Sequence, residues 1–291
     1  MKMKGTDNTT RKKLQTCKPT WLVNVIVAIV LLFAALVIIL PLLITVFASF
    51  KTLAQIGSEF PLKPPTEWNL DSYVTAFVEG KILIGFKNSF LLVALSLVFN
   101  VLLGTTAAYV LARFDFKLKR VVMAIFMLGM ILPSNLTEIP RFIILSRLGT
   151  YNTLVAPTII YAATDLIQLS MYLTFVKSIP VSLDESARMD GCTYFGVFAR
   201  IILPLLKPGI ATMAIIKTVW VVNDMYVPYL YMPSQELRTL TTTLMTFSNA
   251  RQGTWNNLSA AIILVALPTV IIYLFFQKAI LGGITAGAVK E

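Results

Sequence analysis

Histidine is missing altogether from the 291 residues. With it go the commonest general base, the commonest metal ligand and the usual charge switch near neutral pH. Charge is scarce: Asp, Glu, Lys and Arg make up 13% of the chain, against roughly 25% in an ordinary soluble domain. Cysteine occurs twice, as Cys17 in a basic polar tail and Cys192 in a polar loop. Two such distant thiols suit neither a disulfide framework nor a zinc site. No G-x-x-x-x-G-K-[ST] stretch is present, so the chain lacks the phosphate-cradling loop of an ATPase. These absences leave no catalytic centre, no metal site and no cofactor to be expected in this chain.

What is present is apolar. Hydrophobic residues make up 57% and mean hydropathy is +0.77. A helix crosses a bilayer with about 20 such residues, and the chain offers six candidate runs. The pattern predicts an all-α polytopic membrane protein with spans over about 21–49, 87–112, 121–146, 150–177, 208–231 and 257–278. Trp21–Phe50 carries no charge, and its length suits an uncleaved first span better than a signal peptide. The third run is interrupted by Pro133 and followed by Pro140. The fourth holds Asp165, and the fifth holds Lys217 and Asp224.

The net charge of +11 would raise nucleic acid as a partner in a soluble protein. Here the basic residues flank the apolar runs and no reader motif accompanies them, so membrane topology explains them and nucleic acid is excluded. Sixteen of the 25 Lys and Arg residues fall in the tail 1–20, the second and fourth connections and the C-terminal end. Eight fall in the alternate connections. The excess predicts that both termini are cytoplasmic. A long outer loop then follows span one, its Pro64-Pro65 pair favouring extended backbone.

The longest inner connection, 178–207, is the most informative stretch. Ser182-Leu183-Asp184-Glu185 reads as a capping box with Ser182 as N-cap. Asp184 and Glu185 suit the positive end of a helix dipole. The helix should run to about Asp190, where Gly191 supplies a left-handed exit. Thr193 can cap a second helix over Tyr194–Leu203, and Pro204 and Pro208 bracket the entry to span five. The spacing therefore predicts helix, glycine turn, helix: either a rigid docking object or a plain surface linker.

Glu185-Ser186-Ala187-Arg188-Met189-Asp190-Gly191, followed by Ile201, Leu203 and Pro204, resembles the "EAA" loop of permease subunits in ATP-binding-cassette importers. Ser186 stands where alanine is usual, and Cys192 follows the glycine; both are small. Pro65-Thr66-Glu67-Trp68-Asn69-Leu70, Asn88-Ser89, Ala112-Arg113-Phe114 and Trp220-Val221-Val222-Asn223-Asp224 are similar to segments of the carbohydrate, maltose-type group. So is the tail Gly283-Ile284-Thr285-Ala286-Gly287-Ala288-Val289-Lys290. The resemblance runs from Trp21 onward. It implies a type I importer fold in a bacterial or archaeal cytoplasmic membrane. It also implies a second homologous permease subunit, two ATPase subunits that bind MgATP, an extracytoplasmic solute-binding protein, and a sugar or oligosaccharide cargo. Glu185, Ser186, Ala187, Arg188, Asp190 and Gly191 would couple to the ATPase. Thr285, Gly287, Val289 and Lys290, in a cytoplasmic tail over 281–291, would reach the ATPase dimer.

A path through the bilayer needs polar groups, which are costly there and usually functional. Asp165, Lys217, Asn223 and Asp224 qualify, and Trp220 and Tyr226 could stack on sugar rings. Each has a plainer reading: Asn223 and Asp224 at the outer interface, Lys217 in a structural pair with Asp165. Two rivals stay open. One is a secondary carrier or channel, a class that often shows inverted repeats and discontinuous helices. The other keeps the family but carries an amino acid, osmolyte or polyamine.

Overall fold

The computed structural model describes residues 21–248 and 254–288. The tail 1–20, with Cys17, and Val289 and Lys290 lie outside them. No strand occurs among the described residues. The chain divides into two compact units, Met1–Thr45 and Val46–Glu291. The first, where described, is residues 21–45 of the apolar α1 (Trp21–Phe50), whose last five residues belong to the second.

After α1 the second unit has a connection containing two short helices, α2 (Leu53–Ser58) and α3 (Asp71–Glu79). A capping box starts α2: Thr52 accepts from the Gln55 N–H and the Gln55 amide oxygen accepts from the Thr52 N–H. A hydrogen bond from Lys63, aided by buried Lys51, holds the Glu59 carboxyl below the usual carboxylate range. Phe50 packs its ring on Trp68 and Tyr73 with centroids 5.0 and 5.1 Å apart.

Then come α4 (Ile82–Arg113), α5 (Lys119–Ile131), α6 (Ser134–Arg147), α7 (Val155–Ala162) and α8 (Leu166–Ser178). After these lie α9 (Val181–Met189), α10 (Tyr194–Val197), a π-turn over Phe198–Ile202, and α11 (Leu203–Leu205). Finally α12 (Lys207–Asn223), α13 (Tyr226–Tyr231), α14 (Leu240–Thr243) and α15 (Trp255–Ala288) complete the chain. Parts of α1, α4 and α15 are each long and apolar enough to cross a bilayer alone.

The remaining spans are bent pairs. The third expected span breaks at Leu132–Pro133, because the residue before proline is pushed to extended backbone. The fourth, expected to be continuous, breaks between α7 and α8 with a 51° bend. The fifth stops at Asn223, where Asp224 is extended and starts α13. At its other end, α10–α11 meets α12 at 72°. α15 stays helical to Ala288, so Thr285 and Gly287 of the expected tail sit on helix backbone.

α4 is the central element, packing on α7, α8, α12 and α14. A Cβ on Gly104 would lie 2.9 Å from the Tyr172 ring of α8, so a small residue there lets the two helices approach. The core has two main clusters. One joins Tyr109, Tyr172 and Val176 to Ala187, Val197, Phe198 and Ile202 of the 178–207 connection. The other joins Leu92, Leu145, Ala156, Tyr161, Val221 and Tyr231.

Candidate functional site

The 178–207 connection is anchored, not loose. Pro180, with φ −58°, is the N-cap of α9 and offers no side-chain hydrogen bond. The capping box expected from Ser182 and Glu185 is therefore not formed, since proline's fixed φ already sets the helix entry two residues earlier than Ser182 needs. Asp184 turns inward instead. The Arg113 Nε donates to its Oδ2 at 2.8 Å, and the Arg113 Nη2 donates to the Ile179 carbonyl at 2.7 Å. Both partners are largely buried. One guanidinium thus pins the start of α9 to the end of α4.

Gly191 has φ +84°, the left-handed exit anticipated from the sequence. The Cys192 N–H closes the turn on the Ala187 carbonyl at 3.0 Å. Thr193 caps α10 through the Gly196 N–H at 3.1 Å. Arg188 lies over the Tyr194 ring, 3.8 Å from its centroid, and makes no ion pair with Asp190. Ala187 is buried in the core, whereas Glu185, Ser186, Asp190 and Gly191 are exposed. Among the described residues Glu185 has no hydrogen-bonding or ionic partner. In the same connection, Met189 and Phe195 are 88% and 77% exposed. The pattern of an anchored inner face and a free acidic and apolar outer face is what a docking element requires.

The second feature is a cavity of about 600 Å³. It lies at both helix breaks: Leu132 from the first, and Ala163, Thr164 and Asp165 from the second, line it with Lys217 and Trp220 of α12. The α7–α8 break is well satisfied. Asp165 accepts from the Gln168 N–H at 2.8 Å and so caps α8. Asn100 of α4 donates its amide to the Ala163 carbonyl at 3.0 Å and lies 3.3 Å from those of Tyr161 and Ala162, the last carbonyls of α7. Its amide also pairs reciprocally with Gln168. Asn100 and Gln168 were not legible as functional; a polar pair inside two apolar runs was the available signal.

Asp165, Lys217 and Trp220 come together as the sequence suggested. Lys217 is buried, and its Nζ sits 4.7 Å from the Trp220 ring centroid. Its Nζ lies within electrostatic reach of Asp165, with no ion pair within 4.0 Å. Asn223, Asp224 and Tyr226 do not line the cavity. Asn223 donates back to the Val219 carbonyl at 2.8 Å. Asp224 accepts from the Tyr161 hydroxyl at 2.9 Å and from the N–H groups that open α13. Its role in the structure is to hold the turn behind Trp220, whose ring meets Tyr161 edge-on at 5.6 Å. The side chain of Thr285 lies outside the described set.

Arg141 and Glu138 of α6 went unnoticed in the sequence. Glu138 pairs with Arg141 and accepts from the fully buried Tyr231 hydroxyl at 2.9 Å. Arg141 lines the cavity. An Arg and Glu three apart beside Pro140 was the signal.

Several apolar spans, with a cavity that gathers a few charged and polar side chains at their breaks, define a multi-pass membrane protein. Residues 100–285 match the binding-protein-dependent transport system inner membrane components, and the chain belongs to that family. It is 34% identical to a probable ABC transporter permease protein, YurM, of Bacillus subtilis, over 86% of this chain and 83% of that one. It is 30% identical to the melibiose/raffinose/stachyose import permease MelC of the same organism, over 90% and 96%. It is 29% identical to the diacetylchitobiose uptake permease NgcG of Streptomyces coelicolor, over 89% and 87%. Its fold is similar to a chain of a bacterial ABC transporter involved in alginate import, with TM-score 0.76 at 20% identity over 88% and 95%.

Proposed function

We propose that this chain is one of two membrane-spanning subunits of an ATP-driven importer of a sugar or oligosaccharide. It forms half the path and couples to separate ATPase subunits, which bind MgATP, while an extracytoplasmic binding protein delivers the cargo. The observation that carries this reading is the α9–Gly191–α10 unit. It is pinned from beneath by Arg113 and open above at Glu185, Met189 and Phe195. Such a unit can pass a rigid-body rotation to the spans. The sugar cargo is supported by the named cargoes of the relatives and by the mixed aromatic and polar cavity wall. Both termini are placed in the cytoplasm by the charge asymmetry.

The test is reconstitution of this chain with its neighbouring permease, ATPase and binding protein in proteoliposomes. Saccharide uptake should require ATP inside, and the liganded binding protein should stimulate hydrolysis. Uptake driven by a proton or sodium gradient without ATP would establish the secondary-carrier reading instead. Uptake of amino acids or polyamines and no saccharide would overturn the cargo.

A further inference from the structure

We infer that this chain itself holds a subsite for one neutral sugar ring, built from Trp220, Lys217, Arg141, Thr164 and Asp165 where the two broken spans meet. The inference rests on the importer reading above and adds the ligand that this half of the path recognises.

Three observations carry it. The first is backbone. Non-helical backbone at membrane depth is tolerated only where protein covers it or where it lines a watery cavity. The breaks after α5 and after α7 line the same cavity, so the place where the helices open is where a polar solute can sit. The neighbouring hollow between α4 and α7, about 640 Å³, is walled by residues such as Phe99, Leu103 and Ile159 and has no such break-derived charge. It suits lipid chains.

The second is unused hydrogen-bonding capacity. The Thr164 Oγ1 and the Arg141 Nε are buried and have no partner among the described residues. Lys217 is buried, 9% exposed, with its Nζ 4.7 Å from the Trp220 ring centroid and no ion pair within 4.0 Å among the described residues. Asp165 uses Oδ1 for the α8 cap, and its carboxylate carries a second acceptor oxygen. Donors and an acceptor left open around one space match a molecule whose hydroxyls each donate and accept. Trp220, 53% exposed, adds an apolar surface for the C–H face of a ring. The volume falls within the range of about 300–1,000 Å³ typical of small-ligand sites.

The third is charge. Two cations, Lys217 and Arg141, are balanced by Asp165 and by Glu138, which pairs with Arg141. A site with no net charge favours a neutral sugar over a uronic acid, whose carboxylate would meet Asp165.

The test uses the whole reconstituted transporter and a panel of radiolabelled neutral di- and trisaccharides with one uronic-acid disaccharide. Trp220→Leu and Thr164→Val should each raise the transport KM about tenfold while the ATPase subunits still co-purify, the signature of lost ligand binding. Trp220→Phe, which keeps an aromatic face, should recover most of that loss. Asp165→Asn should shift the neutral-to-uronate uptake ratio toward the uronate. Unchanged KM in both Trp220→Leu and Thr164→Val, in a transporter whose wild type moves a saccharide, overturns the subsite. A wild type that moves no saccharide overturns the importer's cargo instead, whatever the variants do.

Discussion

At the scale of single residues, Gly191 and Arg113 decide how the 178–207 connection holds its shape. A Cβ at Gly191 would touch nothing within 4 Å, so the case against a side chain there is conformational and not steric crowding. A β-branched residue at φ +84° is strained by roughly 1–2 kcal/mol or more. Gly191→Val should therefore re-aim α10 relative to α9, and ATPase co-purification should fall. Glu185→Ala should remove one charge-assisted contact to the ATPase, of about 1.5–3 kcal/mol if that contact is buried. Pull-down of the ATPase at rising salt checks both, and full retention by Gly191→Val would refute the docking role. Arg113→Ala leaves Asp184 buried and unpaired, at a cost of about 3–5 kcal/mol for a buried pair broken on one side. Lysine cannot span both Asp184 and the Ile179 carbonyl as the guanidinium fork does. The expected order of ATPase binding is wild type, Arg113→Lys, then Arg113→Ala, and Arg113→Ala with Asp184→Ala should be milder than Arg113→Ala alone. The reverse order would mean that the tether does not support the loop.

At the scale of elements, the broken spans depend on capping from outside themselves. The last carbonyls of α7 have no next turn to bond, and Asn100 answers them from α4. Asn100→Leu should lower the melting temperature of the detergent-solubilised protein, with a loss of about 1–2 kcal/mol, the upper range for hydrogen bonds inside a membrane. Uptake should fall with it, since the cavity wall at Ala163 and Thr164 would shift. An unaltered melting curve would show that the break needs no such support. Discontinuous helices are common in secondary carriers, and they occur in this binding-protein-dependent permease as well. They mark a polar site within a bilayer, whichever energy source drives the protein, because the same rule on unsatisfied backbone applies to both.

At the scale of the molecule, orientation governs everything else. If the charge asymmetry sets topology, reporter fusions after Gly57 and Gly253 should read as outside and one after Lys119 as inside. An inside signal at Gly57 would invert the protein and remove the loop from the ATPase. The architecture has a division of labour: a core cluster that ties the 178–207 connection to α4 and α8, and a second around Tyr161 and Tyr231 that backs the cavity. Arg113 ties α9 to the end of α4, and α4 also carries Asn100, which bonds the α7–α8 break. The loop and the cavity are thus joined by one rigid helix.

The sequence by itself determined the class of fold, because runs of apolar residues long enough to span a bilayer admit only helices there. It also determined the glycine exit at Gly191 and the Thr193 cap, since those are local rules about φ and orphan N–H groups. The tertiary structure decided what local rules cannot reach. Ser182 lost its cap because Pro180 precedes it and because Asp184 finds a better partner in Arg113, 71 positions earlier. Asp165 looked like an intramembrane ligand and proved to be an N-cap as well, because Asn100, distant in sequence, makes a helix break affordable at that depth. Arg141 and Glu138 were invisible as a pair facing the cavity until α6 packed against Tyr231. Hydropathy and turn chemistry act over a few residues, whereas the satisfaction of a buried polar group depends on whichever chain segment folding brings beside it.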